Sequence, residues 1–253
     1  MSENFIVSLA SHSKRINTLH LCLESIFKQT IQPKKILLYL DSSVPSDIIP
    51  NNISSFVKAG LEIIFISDRL GPHNKYYYTF KNYPDDIIIT VDDDVIYNEL
   101  TFEKLMETHH QFPYAICANR VKYMTFDENE KLMPYNEWIS EYSKILYPSK
   151  KLIATGVGGV LYPSHTFSDS VFNKKEIIEL SLTADDIWLE FKELESGIPV
   201  VWTGQIPQHP IQIPGTMEKS LWRTINKEKN DLYIKNMIEY YQLDLYSLTK
   251  EDD

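Results

Sequence analysis

The chain opens on an apolar run, Phe5-Ile6-Val7-Ser8-Leu9-Ala10, that reads as a buried strand and gives way to the polar stretch Ser11-His12-Ser13-Lys14-Arg15. Apolar residues then recur at Ile16, Leu19, Leu23, Ile26 and Phe27, the spacing of one helix face, with Ser13 as its expected cap. Ile36-Leu37-Leu38-Tyr39-Leu40 predicts a second strand that ends at Asp41-Ser42-Ser43. A strand-helix-strand unit is nearly always right-handed and parallel, so Ala10 and Ser11 are expected beside Asp41 at one edge of a sheet. A helix around Ile53 to Ala59 leads through Gly60 to a third strand, Leu61 to Ile66, ending at Ser67-Asp68-Arg69. Gly71-Pro72 breaks the chain before a helix that begins near Lys75 and runs through Tyr76-Tyr77-Tyr78-Thr79-Phe80.

The next strand dominates the pattern. Ile87-Ile88-Ile89-Thr90-Val91 is an unbroken β-branched run, as expected of a strand buried on both faces in the middle of a parallel sheet, and it stops on Asp92-Asp93-Asp94. Three adjacent carboxylates at the carboxyl end of a central strand suggest a divalent metal, because like charges crowd one another unless a cation sits among them. The alternative is a solvated turn with one Asp capping the following helix. Asp41, the segment from Asp68 to Lys75, and Asp92 to Asp94 are then expected to line one crevice, the geometry of a nucleotide pocket in a doubly wound sheet. A turn cap is the plainer reading of Asp41 alone.

The second half has a different texture. A strand is predicted at Tyr114 to Ala118, followed by an aromatic-rich connection containing Tyr123, Met124, Phe126, Tyr135 and Trp138, with Trp138 expected in the core. Thr155-Gly156-Val157-Gly158-Gly159-Val160-Leu161-Tyr162-Pro163 puts three glycines where a strand is otherwise indicated, implying close approach of a ligand or another backbone. It lacks the spacing and Lys-Ser/Thr ending of a phosphate loop. Thr183-Ala184-Asp185-Asp186-Ile187-Trp188-Leu189 opens a helix that stops at Gly197 before Pro199. Asp185 and Asp186 either favour the helix dipole alone or supply acid-base chemistry. After a strand at Val200 to Trp202, the proline-rich run Gln205 to Gly215 reads as an extended loop over the site, and a last helix is predicted from about Asn230 to Tyr241 before an acidic tail that frays.

With 253 residues, 43% hydrophobic and 24% charged, the chain is expected to form one globular unit. A net charge of −10 argues against nucleic acid as partner, so any bound phosphate must be met by a metal or a few placed cations. No leader-like segment and no apolar run near the roughly 20 residues of a membrane span is present, which predicts a cytoplasmic protein with at most peripheral membrane association. Cys22 and Cys117 lie in apolar patterns and are expected as buried, reduced thiols.

Four segments in order, Leu70-Gly71-Pro72-His73-Asn74-Lys75, Asp86 to Asp94, Thr155 to Pro163 and Ala184-Asp185-Asp186-Ile187-Trp188-Leu189, resemble metal-dependent glycosyltransferases of the A fold, within them bacterial enzymes related to family 2 that build cell-surface polysaccharides. The resemblance covers most of the chain from Phe5 to about Trp222. It implies a single-domain, Rossmann-like α/β fold with a mostly parallel central sheet flanked by helices. Residues of about 1–120 form the nucleotide-sugar half, about 121–215 the acceptor half, and 216–253 a C-terminal loop and helix.

The resemblance also implies roles. Asp92-Asp93-Asp94 looks like the family's Asp-X-Asp motif, with Asp94 and Asp92 on Mn2+ or Mg2+ and the earlier carboxylates, Asp92 and Asp93, toward the ribose. Ala10, Ser11, Asp41, Asp68 and Lys75 would face the nucleotide, and Gly158 and Gly159 the donor sugar. Asp186 matches the catalytic base and Asp185 its neighbour, while His209 is a candidate further metal ligand. The implied activity is inverting hexosyl transfer from a nucleotide sugar, UDP first, to a glycan or lipid-linked oligosaccharide hydroxyl. The alternatives are a sugar-phosphate nucleotidyltransferase, although Ser11 to Arg15 lacks that class's glycines, and a non-catalytic glycan- or nucleotide-binding module. The turn Ser11-His12-Ser13-Lys14 and the single Asp41 depart from the family's usual Pro-Thr-Tyr-Asn-like turn and paired acids.

Overall fold

The computed structural model describes residues 3–45, 51–216, 218 and 220–250; the acidic tail at 251–253 lies outside them. In chain order the elements are β1 (Glu3–Ser11), α1 (Leu19–Phe27), β2 (Pro33–Asp41), α2 (Asn51–Lys58), β3 (Leu61–Ile66), α3 (Asn74–Asn82), β4 (Ile87–Thr90), β5 (Val95–Ile96) and α4 (Thr101–Gln111). There follow β6 (Ile116–Ala118), β7 (Val121–Tyr123), β8 (Ile139–Ser140), β9 (Leu152–Ala154), β10 (Val160–Tyr162), α5 (Lys174–Leu180), α6 (Asp185–Ser196), β11 (Val200–Trp202), β12 (Ile211–Gln212), α7 (Lys227–Tyr241) and α8 (Leu245–Thr249).

Seven strands form the central sheet in the order β11-β6-β10-β4-β1-β2-β3. All neighbours pair in parallel except β10, which runs antiparallel to both β4 and β6. The alternation of strand side chains separates two cores. Phe5, Val7 and Leu9 of β1 pack with Leu19, Leu23 and Phe102 of α1 and α4, while Ile6 points to the other face with Leu37 and Tyr39. A larger cluster under α6 contains Tyr76, Trp138, Trp188 and Met237, so Trp138 is core as expected. Cys22 and Cys117 are buried and free, and no helix among the described residues is long and apolar enough to cross a membrane.

Three local expectations need correction. Ser13 does not cap α1, whose N-cap is Thr18. Residues 13–18 instead form turns, with Thr18 N bonding Arg15 O at 2.9 Å, and that path carries the Arg15 guanidinium to the acidic loop. The glycine segment is not one strand: Gly156–Gly158 is a 3-10 turn between β9 and β10, with Gly159 at φ 85. Helices α4, α5 and α8 were not assigned from the pattern at all. By contrast Gly197 closes α6 at φ 69 in the left-handed conformation that glycine favours.

Candidate active site

Strands β1, β2 and β3 extend the sheet to one side and β4 starts the other, so the boundary between β1 and β4 is a topological switch point, where open α/β sheets bind ligands outside the carboxyl ends of their strands. The acidic loop leaves β4 there. Its backbone is committed to protein partners: Asp92 N donates to Tyr97 Oη at 2.8 Å, Cys22 Sγ donates to Asp92 O at 3.2 Å, and Asp94 O accepts from Ile213 N at 2.9 Å and Gln212 Nε2 at 3.1 Å. With the chain held from behind, the carboxylates are what the loop presents. Ser11 Oγ donates to Asp93 Oδ2 at 2.5 Å, and Arg15 bridges Asp93 and Asp94, the latter at 2.9 Å.

On the facing side, α3 and α6 meet the acidic loop through one ammonium. Lys75 Nζ lies 2.7 Å from Asp92 Oδ1 and 2.7 Å from Asp185 Oδ2. Neither carboxylate of the α6 pair caps its own helix, whose N-cap is Ala184 with no side-chain cap bond. Asp186 Oδ1 instead accepts from Gly156 N at 3.0 Å. Gly156 has no room for a side chain, since a Cβ would sit 2.5 Å from Lys75 Nζ and 3.0 Å from Asp186 Oδ1. The 3-10 turn therefore fits between the lysine and the aspartate because its first residue is glycine.

This arrangement drives the two neighbouring carboxyls apart in acidity. Burial raises Asp185, but Lys75 and then His73 outweigh it and hold the group below its ordinary range. Asp186 is pushed up to about 7 by burial and by the Asp185 charge, against the opposing pull of Lys75. Adjacent carboxyls separated in this way are the signature of divided acid-base roles. Asp94 is likewise raised to about 6, by burial and then by Asp92, with Arg15 pulling the other way. Farther along α6, Glu190 and Glu193 follow Asp186 by four and seven residues on one helix face and are 3% and 2% exposed. Burial and then Glu193 push Glu190 far up, and burial pushes Glu193 up to about 8.

A cavity of about 1070 Å³ opens over this floor. It is lined by Ala10, Ser11, Asp41, Lys75, Asp92, Asp93, Asp94, Asp185, Asp186 and His209, so most residues singled out from the sequence converge. Asp41 also accepts from Ser43 N at 2.9 Å and Ser43 Oγ at 2.5 Å, which makes it a turn former as well as a wall residue. Three residues are elsewhere. Asp68 is outside the lining, its carboxylate taken by Lys174 Nζ at 2.5 Å and by the Tyr78 hydroxyl. Gly158 backs onto Arg120, where a Cβ would meet Arg120 Cβ at 2.6 Å, and Gly159 faces Thr101 and Asn119. Their glycines serve backbone packing behind the wall, with Gly156 at the site instead.

The chemistry of the floor fits a hard divalent cation. Asp92, Asp93, Asp94, Asp185 and Asp186 supply five carboxylates against the two cations Arg15 and Lys75. Among the described residues no three His, Cys, Asp or Glu side chains form a ready-made cage. Mg2+-type ions in phosphate-binding sites are commonly held by one or two carboxylates together with substrate phosphates, so a complete protein cage is not required. His209 Nδ1 bonds Pro210 O at 2.7 Å, and because a carbonyl only accepts, Nδ1 carries a proton.

Arg15, Gly156, Arg120, Lys122 and Trp222 escaped the sequence reading. Arg15 was visible only as one charge in a polar stretch, and Gly156 as one of three glycines. The other three come together through folding of the second half.

A model described as Glycosyl transferase family 2 matches residues 11–167, more than half of the chain. No curated protein matches the sequence. Among solved structures the chain is similar to S. aureus TarS 1-349 in complex with UDP, at 14% identity and a TM-score of 0.50, covering 79% of this chain and 58% of that one. It is also similar to mannosyltransferase PcManGT from Pyrobaculum calidifontis in complex with GDP-Man and Mn2+, at 10% identity and a TM-score of 0.57, covering 96% and 66%. A second structure of S. aureus TarS 1-349 gives 13% identity and a TM-score of 0.51, with coverage of 98% and 76%. At these identities the likeness is one of fold, and the chain spans less than two thirds of the length of the first two.

Proposed function

The chain belongs to glycosyl transferase family 2, and we propose that it moves a hexose from a nucleotide-sugar donor, a UDP-sugar first among candidates, to a hydroxyl of a cell-surface glycan or lipid-linked saccharide precursor, with inversion at the anomeric carbon. In this reading residues of about 1–120 handle the donor, about 121–215 the acceptor, and 216–253 are a C-terminal loop and helix. The reaction takes place in the cytoplasm, with at most peripheral contact to a membrane.

The observation that carries the reading is the split pair Asp185 and Asp186 beside Lys75, directly across from the acidic loop. Asp186, raised to about 7, has the basicity to accept a proton from an acceptor hydroxyl near neutral pH. Gly156 N–H fixes one of its oxygens, leaving the other for the acceptor. Asp185 stays ionised against Lys75 and holds that ammonium in place. Ser11, Asp41 and Asp93 at the ends of β1, β2 and β4 form the wall for ribose and base. Asp94, with Asp92 and His209 nearby in the lining, would hold Mn2+ or Mg2+. Such an ion supplies charge neutralisation to the departing diphosphate. Arg15 keeps Asp93 and Asp94 together until the donor arrives.

The test is to incubate the protein with Mn2+ and a panel of nucleotide sugars, follow slow donor hydrolysis, and determine the anomeric configuration of the product by NMR once an acceptor is found. Hydrolysis of one UDP-hexose and an inverted product are expected. Absence of binding by every nucleotide of the panel in the presence of Mn2+ would remove the reading, and a retained configuration would remove the single displacement.

A further inference from the structure

The far wall of the cavity has the opposite electrostatic character from its floor. Arg120, Lys122 and Arg223 line it together with Tyr135 and Trp222. Arg120 follows β6 and its NH1 donates to Thr155 Oγ1 at 2.9 Å, one residue before Gly156, whose amide holds Asp186. Its Nε has no hydrogen-bond partner, and its one carboxylate neighbour is Glu141, 3.8 Å away and half-exposed on the rim. Lys122 is 4% exposed and donates to Tyr135 O at 2.7 Å, with its ammonium 3.8 Å from the centre of the Tyr135 ring. Neither Lys122 nor Arg223 has a salt bridge among the described residues. Asp231, which accepts from Tyr135 N at 2.7 Å, is the one carboxylate acting on Lys122 from behind.

Burial and then the charge of Arg120 push Lys122 down to about 8. Two cations repelling one another on a cavity wall, one of them buried without a carboxylate in contact, are stabilised when an anion enters between them. In a chain of net charge −10 this placement is against the average of the sequence. The other buried cations of the cavity, Arg15 and Lys75, are already each shared by two aspartates. Trp222 stands next to the pair, 42% exposed and 6.2 Å from the Tyr135 ring, and offers an indole face of the kind on which sugar rings stack.

We propose that the acceptor is anionic: a saccharide or polyol that carries an oxyanion, phosphate or carboxylate, near its reacting hydroxyl, with Arg120 and Lys122 receiving the anion and Trp222 stacking on the ring. This rests on the glycosyltransferase reading, because it is that reading that makes the wall beyond Asp186 the acceptor side. A guanidinium fork beside a rotatable ammonium suits a planar or tetrahedral oxyanion, and neutral hydroxyls alone leave both charges unmet.

The experiment is a binding titration of the full chain with UDP and Mn2+ present, read through tryptophan fluorescence or calorimetry, using glucose, glucose 6-phosphate and glucuronate as probes. The two anions are expected to bind at least ~10-fold tighter than glucose, and the tighter of them identifies the oxyanion. Arg120→Gln and Lys122→Met should each abolish that advantage, while retained UDP affinity shows that the variants are folded. Equal affinities for the three probes, or variants that keep the preference, would overturn the proposal. Failure of the unmodified protein to bind UDP or any other nucleotide of the donor panel would instead overturn the glycosyltransferase reading, so the two failures are distinguishable.

Discussion

The amide of Gly156 donates to Asp186 Oδ1 at 3.0 Å, in the one place on the cavity floor where a Cβ would strike both that carboxylate and the Lys75 ammonium. The backbone thus orients the proposed base, and the missing side chain lets the lysine stay between Asp92 and Asp185.

Gly156→Ala should therefore lower turnover without unfolding the chain. The methyl must displace Lys75 Nζ, the far end of a flexible side chain, so the expected result is a fall in kcat of tenfold or more with nearly unchanged circular dichroism. Wild-type kcat in the alanine variant would show that the close approach has no role in the reaction.

Asp186→Asn keeps the size of the side chain and removes its basicity. Turnover should drop by roughly 10²-fold or more while UDP affinity stays within a factor of a few, because a base acts on the acceptor proton in the transition state. Were Asp185→Asn dead and Asp186→Asn active, the roles of the two would have to be exchanged.

The pH profile follows from the same carboxyl. A base must be unprotonated, and Asp186 is raised to about 7, so kcat should climb about tenfold per unit below that pH and level off above it. In Asp186→Asn the residual rate should lose that rise. A wild-type rate that is flat between pH 5.5 and 8 would place the base elsewhere.

For the donor site, calorimetry with UDP in the presence and absence of Mn2+ gives the comparison. Asp94→Ala should abolish the metal-dependent gain in UDP affinity, since a hard ion loses its protein oxygen ligand. A variant that binds Mn2+ and UDP as the wild type does would refute the assignment of Asp94.

Buried acids under the site make a separate prediction about stability. Glu193 ionises near 4.5 in an open chain and at about 8 in the fold. Between those values the folded state keeps a proton that the unfolded state has released, so stability falls as pH rises from about 4.5 to 8. Glu193→Gln removes this penalty and should raise Tm by several degrees at pH 8, at ~2–4 °C per kcal/mol for a chain of this size, with the gain vanishing toward pH 4.5. An equal gain at both pH values would mean that ionisation is not its cause.

What the linear pattern revealed was governed by local chemistry. The strand around Ile88 and the carboxylates after it were legible because β-branched runs and clustered charges have few alternative uses. The convergence of Ser11, Asp41 and Asp92 followed from the handedness of parallel crossovers, which needs no side-chain detail. Gly158 and Gly159 were misplaced because a glycine-rich run has no periodicity to say which residue faces a ligand, and only the antiparallel course of β10 decides it. Asp68 looked like a crevice residue by position, yet Lys174, more than a hundred positions away, claims it. The basic wall was illegible for the same reason: Arg120 and Lys122 stand two residues apart, but Tyr135 and Trp222 join them only after the second half has folded.

The strap at residues 212–216 does more than cover the cavity, because it hangs from the carbonyl of Asp94: Ile213 N at 2.9 Å and Gln212 Nε2 at 3.1 Å both donate to that single oxygen, while Thr216 Oγ1 donates to Ile213 O at 2.7 Å. One residue thus presents its side chain to the cavity and tethers the overlying chain with its backbone. The tether runs through a peptide carbonyl, so no substitution of the Asp94 side chain deletes it.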